Sequence, residues 1–497
     1  MRTEGRLNPM IGTNAYCPEL VLPPEAAREQ VLRRKLLYLL IFIVALVRLF
    51  TETLGVLPRA LNFADLPLFL YACAALLARR DVKGETTSFY RCSLSRPLKM
   101  FTAWVMLSTA INLMLYNIHF LPAIVFWAFH LEPIVFALLL MRLGWNQEDT
   151  QKLSKLLVAI GLVQIPLSLI QLSSVFSEDN PDLASGTFGT NGSQMCFFVV
   201  LVIAYLLGRY LMESRIRFLL PVPALVVVFY AQGFKALWLP FVLTMPVGVL
   251  LCYPGNKRRK WGSVALVVAF VLLVALPIGR LTSRQTIEFF HWEYVSDVLR
   301  SGAIWNLGKI QSFVNVGRIY TNSPIATLVG VGPGSYSSRA SQTFTQVALE
   351  PDSPTNVVYG YVSPTPPGAL TEKYIVPEVF KSEILFGSGT IDGPFNSYVA
   401  LLAEVGVVGF ALYAAIYYRV SKKVLAAGRK AWGERNSELF AISLAAICGL
   451  LTLFEMAFLD NWLEASRVTI PLWLVLIPVM SCGAASEAGK IPLRRKQ

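Results

Sequence analysis

Apolar runs of about twenty residues recur along this 497-residue chain, and the segments between them alternate between basic and nearly uncharged. Crossing the hydrocarbon core of a bilayer takes about 20 helical residues. About twelve runs of that kind can be placed, near 36–57, 61–78, 98–118, 120–141, 153–174, 194–213, 216–232, 236–253, 262–279, 395–418, 438–458 and 467–482. With 55% hydrophobic and 15% charged residues, the chain is too apolar for a soluble protein of this length. The expected fold class is an all-α polytopic membrane protein of about 12 transmembrane helices.

Orientation follows from Lys and Arg in the short loops. Arg33, Arg34 and Lys35 precede the first run, and Arg79, Arg80, Lys83, Arg91, Arg96 and Lys99 follow the second. Arg142, Lys152 and Lys155 follow the fourth, and Arg209, Arg215 and Arg217 the sixth. Lys257–Lys260 follow the eighth, and Arg419, Lys422, Lys423, Arg429 and Lys430 the tenth. The intervening loops are nearly bare, so both termini are expected on the cytoplasmic side of the membrane. The first 35 residues are polar and the first apolar run is long, so no cleaved leader is expected.

The net charge of +13 is then mostly a topology signal, and membrane lipids are its natural partners. No basic cytoplasmic domain is present to read nucleic acid. None of the seven cysteines falls in the long insert 280–394, which argues against a disulfide framework there. His119, His130 and His291 lack ligand spacing, so no metal and no cofactor is expected.

The expected organisation is a cytoplasmic segment 1–35, nine spans over 36–279, a periplasmic loop domain 280–394, three spans over 395–482 and a tail 483–497. No internal repeat is visible, which weighs against common transporter architectures. In the insert, 283–301 and 304–320 space apolar residues at three and four, as amphipathic helices do. Residues 330–394 are rich in Gly and Pro and read as ordered loop.

Positive charges on the outer side are the informative anomalies, because the topology rule depletes them there. Lys235 lies in a tight turn, Arg280 and Arg284 open the insert, and Arg318 ends its second helix. Fixed cations of this kind stabilise a departing diphosphate, and Arg adds bidentate geometry. Glu132, Glu404 and Glu455 lie inside apolar runs, where acids are costly and face a cavity or partner. Asp392 and Asp460 flank runs and are placed to activate a hydroxyl, a helix cap being an equal reading for Asp392. Gly330-Val-Gly-Pro-Gly334 reads as a tight turn rather than a phosphate loop, since Pro333 removes a donor.

Three elements in this order resemble the O-antigen ligase/polymerase superfamily of bacterial membrane enzymes. They are Gly186-Thr-Phe-Gly-Thr-Asn191, Pro324-Ile325 through Gly330-Val-Gly-Pro-Gly-Ser-Tyr336 downstream of Arg318, and Asp392-Gly-Pro-Phe-Asn396-Ser-Tyr398 followed by Glu404, Gly406 and Gly409. The layout, with one large outer loop between runs nine and ten, is similar as well. The resemblance implies a metal-independent inverting glycosyltransferase acting on undecaprenyl-diphosphate-linked oligosaccharides at the periplasmic face. It further implies Arg318, Lys235, Asp392 and Glu404 as catalytic residues. Arg280, Arg284, Asn191, Asn396, Tyr398 and Tyr336 would bind substrate, and a chain-length regulator and flippase would be partners.

The chain departs from the family pattern twice. Phe395 stands where a His frequently precedes the Asn, and Lys235 stands where an Arg is usual, keeping the charge without the fork. Loss of the His favours a polysaccharide polymerase over a ligase that passes glycan to lipid A or protein. A polytopic transporter, or an accessory protein without chemistry, is the reading of another class.

Overall fold

The computed structural model describes residues 24–78, 94–116, 118, 120–178, 184–189, 192–231, 238–254, 265, 308–341, 373–375 and 394–488. The regular structure in these residues is helical throughout. Helix α1 spans Pro24–Ala45, with proline opening a first turn that has no amide partner to lose. After α1 the chain passes through a π turn at Leu49–Thr53 and a 3-10 turn at Arg59–Phe63 into α2, Asp65–Ala78. Helices α3 (Ser95–Tyr116), α4 (Phe120–Arg142) and α5 (Gln147–Glu178) follow, the last two continuing through Pro133 and Pro166. Then come α6 (Gly192–Glu213), α7 (Val222–Ala231), α8 (Trp238–Cys252), α9 (Gly308–Asn322) and α10 (Pro324–Val329). Helices α11 (Ser397–Gly433), α12 (Ser437–Leu459) and α13 (Ser466–Ala488) close the described chain.

Helix α12 is the hub, packing on α6, α8, α11 and α13, while α13 also lies along α4. Its inward face is small and apolar, with Ala441, Ala445, Ala446 and Leu450 buried, so neighbouring backbones approach closely. Both α11 and α12 start on asparagine caps. Asn396 Oδ1 accepts from the amides of Tyr398 (2.9 Å) and Val399 (3.3 Å), and Asn436 Oδ1 from Leu439 (3.1 Å).

The expectation of about 12 transmembrane helices is corrected. Among the described residues, seven helices are long and apolar enough to cross a membrane: Leu61–Ala78, Arg96–Leu115, Phe120–Arg142, Gln147–Gln171, Gly192–Glu213, Ser397–Gly433 and Ser437–Leu459. The described residues thus form an all-α multi-pass membrane protein with seven such spans. Counting apolar runs overlooked where helices stop. The run 216–232 yields a ten-residue helix and the run 236–253 a fifteen-residue one. At about 1.5 Å per residue neither reaches a ~30 Å hydrocarbon core. The run 36–57 is divided when α1 ends at Ala45 and the π turn begins. The run 467–482 lies in α13, a helix of 23 residues whose apolar part is Ser466–Ser481. All of the run 262–279 except residue 265, and Lys235, Arg280, Arg284, Asp392 and Asn191, lie outside the described residues.

The bundle has two chemically distinct ends. At one, Arg33 Nε pairs with Asp149 Oδ2 and Arg34 Nη2 with Glu148 Oε2, both at 2.7 Å, and Arg209 reaches Glu438 across α6 and α12. These are loops the sequence reads as cytoplasmic. From Arg33, α1 climbs to Arg48 at the opposite end, where the Gly186–Phe188 turn ahead of α6 packs on the π turn.

Candidate active site at a broken helix

Helix α11 runs from Ser397 to Gly433 but is broken at Gly406, whose φ of 69° and ψ of −179° lie outside the helical region. A break leaves backbone carbonyls without intrahelical donors, and inside a bundle they must be answered. The Gly-rich segment answers them. Val331 N donates to Ala403 O at 2.8 Å and Gly332 N to Glu404 O at 3.1 Å. The Trp104 indole Nε1 donates to Val405 O at 2.9 Å, and Ser108 Oγ to Val329 O at 2.6 Å. Gly330, at φ 76°, faces the break so closely that a β-carbon there would collide with Glu404 O.

The Glu404 side chain completes this lock. Fully buried, its Oε2 accepts from Gly334 N at 2.6 Å, and its Oε1 from the amides of Tyr336 (3.0 Å), Ser337 (3.0 Å) and Ser338 (2.9 Å). The carboxylate is therefore the acceptor around which residues 334–338 are wound. Tyr336 is buried in that turn, its hydroxyl donating to Ser312 O at 3.4 Å.

The anchored segment delivers Arg339 to the end of the bundle that carries Arg48. Arg339 N donates to Glu464 Oε2 and its Nε to Asn461 O, both at 2.7 Å. Its guanidinium lies over the Trp462 ring at 5.1 Å, with Nη2 3.8 Å from Asp460 Oδ2. Arg467, buried at the start of α13, donates through Nη2 to Asn62 O at 3.2 Å, while its Nη1 has no hydrogen-bond partner. Arg48 pairs with Glu52 at 3.3 Å, and Glu52 also accepts from Asn62 Nδ2 at 2.9 Å. Arg48 lies in the like-charge field of Arg339, and Arg467 in that of Arg48. Three guanidiniums from distant parts of the chain thus share one neighbourhood. Their mutual repulsion is offset by nearby acids: Glu52 beside Arg48, Asp460 beside Arg339, and Asp65, Glu52 and Glu132 in the field of Arg467.

Acids surround the cluster unevenly. Asp65 Oδ2 accepts from Ser466 Oγ at 2.8 Å. Glu132 is fully buried within the fields of Asp65 and Arg467, and neither of its carboxyl oxygens has a hydrogen-bond partner. Glu455 instead accepts from Thr244 Oγ1 at 2.8 Å, away from the cluster.

Glu464 sits in the turn between α12 and α13. Burial, and then the nearby Glu404, push its carboxyl well above the usual carboxylate range, against a smaller opposite pull from Arg339. Above the ordinary glutamate value of about 4.3, the unfolded chain releases this proton while the folded chain keeps it. Stability from this group is full at low pH and declines as pH rises toward the raised value. Melting of the detergent-solubilised protein is expected to fall as pH rises above the ordinary glutamate value of about 4.3, and Glu464→Gln should flatten that slope. An identical slope in the variant would show that Glu464 folds ionised.

The residues expected from sequence divide clearly. Asn396, Tyr398, Glu404 and Tyr336 come together at the first half of α11. Asn396 is fully engaged as a cap and through Nδ2 to Phe458 O at 3.0 Å, and the Tyr398 hydroxyl donates to Phe454 O at 2.6 Å. Arg318 stands on the exposed face of α9, bonded to Asn315 Oδ1 at 3.2 Å. Arg48, Arg339 and Arg467 were missed. Arg48 fell inside the apolar run 36–57 and Arg467 at the start of the run 467–482, while Arg339 carried the same outer-side anomaly that singled out Arg280. No family model matches the chain, and no curated protein is similar to it.

Proposed function

We propose that the protein is a glycan polymerase of the outer membrane face. It moves a growing glycan from a polyprenyl diphosphate carrier onto a hydroxyl of the next lipid-linked repeat unit. The observation that carries this reading is the convergence of Arg48, Arg339 and Arg467 at one end of the bundle. Arg339 follows, three residues on, the Pro324–Tyr336 element of the resemblance, and Arg48 packs beside the Gly186–Phe188 element. In this reading the arginines hold the diphosphate, and charge developing on the leaving group meets fixed donors in a water-poor site. The acceptor hydroxyl attacks the anomeric carbon from the side opposite the diphosphate, whose C–O bond breaks as the new bond forms with inversion, and the hydroxyl proton passes to Asp392, which the resemblance implies, or to water. Lys235 and Arg318, which the resemblance implies as cations of this site, belong in the same assay. Phe395 in place of the family's His favours polymerase over ligase.

A transporter is the second reading, favoured by a broken helix and by the buried, unpartnered Glu132.

The test is mass spectrometry of carrier-linked glycans from cells lacking the protein, complemented with wild-type, Arg339→Ala or Arg339→Lys chains. Single repeat units should accumulate without the protein, and the wild type should restore polymer. Arg339→Ala should lower transfer by roughly 10²–10³-fold, the usual cost of one preorganised charge-stabilising donor. Arg339→Lys should recover only part, because the fork is lost. Long polymer stranded on the carrier would mean a ligase. An unchanged carrier-linked pool would overturn both enzyme readings in favour of transport.

A further inference from the structure

Glu132 lies inside the span Phe120–Arg142, is 0% exposed, and has no hydrogen-bond partner for either carboxyl oxygen. Arg467, 5% exposed, likewise has no partner for Nη1. The two lie in each other's field. An unmet acceptor and an unmet donor buried in one neighbourhood mark a charge that is not yet committed. Three other acids of the cluster are committed. Glu52 is held by Arg48 at 3.3 Å and Asn62 Nδ2 at 2.9 Å, and Asp65 by Ser466 Oγ at 2.8 Å. Asp460 Oδ1 accepts from Asn461 N at 2.6 Å, while its Oδ2 faces Arg339 at 3.8 Å. Hydrogen bonds to a carboxylate favour its charged form, and a proton displaces one of them. Glu132 has no such bond to lose, so its charge changes at the least cost in hydrogen bonds.

The elements packed on α4 bring few charges to this carboxyl. Helix α13 brings Arg467 and α2 brings Asp65, the two groups whose fields act on Glu132. The turn Trp462–Glu464 brings Glu464, whose Oε2 accepts from Arg339 N at 2.7 Å. On α1, Arg33 and Arg34 are paired with Asp149 and Glu148 at the other end of the bundle. On α3, Arg96 and Lys99 are exposed, and on α4 itself His130 Nδ1 lies 2.9 Å from Phe126 O. Arg467 is therefore the cation that Glu132 neutralises when ionised.

We propose that Glu132 couples anion binding at the arginine cluster to the uptake of a proton. Ionised, Glu132 offsets part of the charge of Arg467. When a diphosphate binds, the anion takes over that task and Glu132 takes up a proton from solution. Arg48 and Arg339 are partly exposed and meet the ligand, while the buried Arg467 acts on it through its field. The coupling rests on the reading of this cluster as a diphosphate site, and it holds for transfer and for transport alike. By reciprocity, a proton on Glu132 tightens the anion by the same factor as the anion tightens the proton. Anion affinity is therefore full at low pH and declines as pH rises and Glu132 ionises.

The test compares binding of inorganic diphosphate to full-length wild-type and Glu132→Gln protein in detergent, by calorimetry at about pH 6 and about pH 9. Diphosphate itself gains charge over that interval, but equally for both chains, so the ratio of their affinities isolates Glu132. The wild type should lose at least about tenfold relative to Glu132→Gln between the two, one coupled proton allowing at most about tenfold per pH unit. Infrared difference spectra at about pH 9 give a second readout. The carbonyl band of a protonated carboxyl should grow as diphosphate binds the wild type and stay absent in Glu132→Gln. A constant affinity ratio would overturn the coupling and leave the diphosphate site standing. Failure of both chains to bind diphosphate at either pH would overturn the site, and the proposed function and the coupling with it. If Glu132→Gln does not fold, the native chain decides, since binding without growth of the carboxyl band overturns the coupling.

Discussion

Glu404→Ala is expected to leave little folded protein. Four buried amides, from Gly334, Tyr336, Ser337 and Ser338, lose their acceptor at once. Each orphaned buried donor costs about 1–3 kcal/mol, and a domain holds only about 5–15 kcal/mol in all. The costs will not add fully, since the segment can unwind toward water, but unwinding releases Arg339 from the cluster and ends activity by another route. Glu404→Gln separates the two roles. Its oxygen can still accept the three amides now bonded to Oε1, while its NH2 opposes Gly334 N. Partial stability is therefore expected, with a melting temperature between wild type and the alanine variant in size-exclusion and thermal assays in detergent. A glutamine variant that melts like the wild type but transfers no sugar would give the carboxylate a chemical role. An alanine variant as stable as wild type would refute the anchoring role.

The resemblance implied a catalytic Glu404 and included Gly406 in its motif, but the physical roles the structure gives the two were invisible in one dimension. A carboxylate in an apolar run reads as a base or an ion ligand. Its use as a hub for backbone amides depends on a partner segment some seventy residues earlier in the chain. Span counting failed for a related reason. Apolar length shows whether a segment can lie in lipid, but not that a π turn ends α1 or that the runs either side of Lys235 make short helices. The arginines fared similarly. Arg48 sits among leucine, valine and phenylalanine in sequence, so the run around it reads as lipid-facing until Glu52, Asn62 and Arg467 fold against it. The Asn396 cap has a purely local cause, yet the sequence reading made Asn396 a substrate ligand and weighed a cap only at Asp392, which lies outside the described residues.

Gly406→Val should dismantle the site even where the chain still inserts into the membrane. A φ of 69° with a ψ near 180° belongs to a region that only glycine occupies readily, and forcing another residue there costs about 1–3 kcal/mol. Space compounds the conformational penalty, because a β-carbon would collide with Leu328 O. The simplest relief is for α11 to straighten. The carbonyls of Ala403, Glu404 and Val405 would then take their ordinary donors four residues on, as in any helix. Val331, Gly332 and the Trp104 indole would be displaced from those carbonyls together. Unlike Glu404→Ala, this substitution leaves every polar group of the helix satisfied, so insertion and helix content should survive. Hydrogen exchange separates the outcomes: amides of 331–338 should exchange at least about 100-fold faster in Gly406→Val, while those of α12 keep their protection. Transfer activity should vanish with the slow-exchanging amides, since Arg339 reaches the cluster only through the segment they hold. Unchanged exchange across 331–338 would mean that the break in α11 does not organise the site.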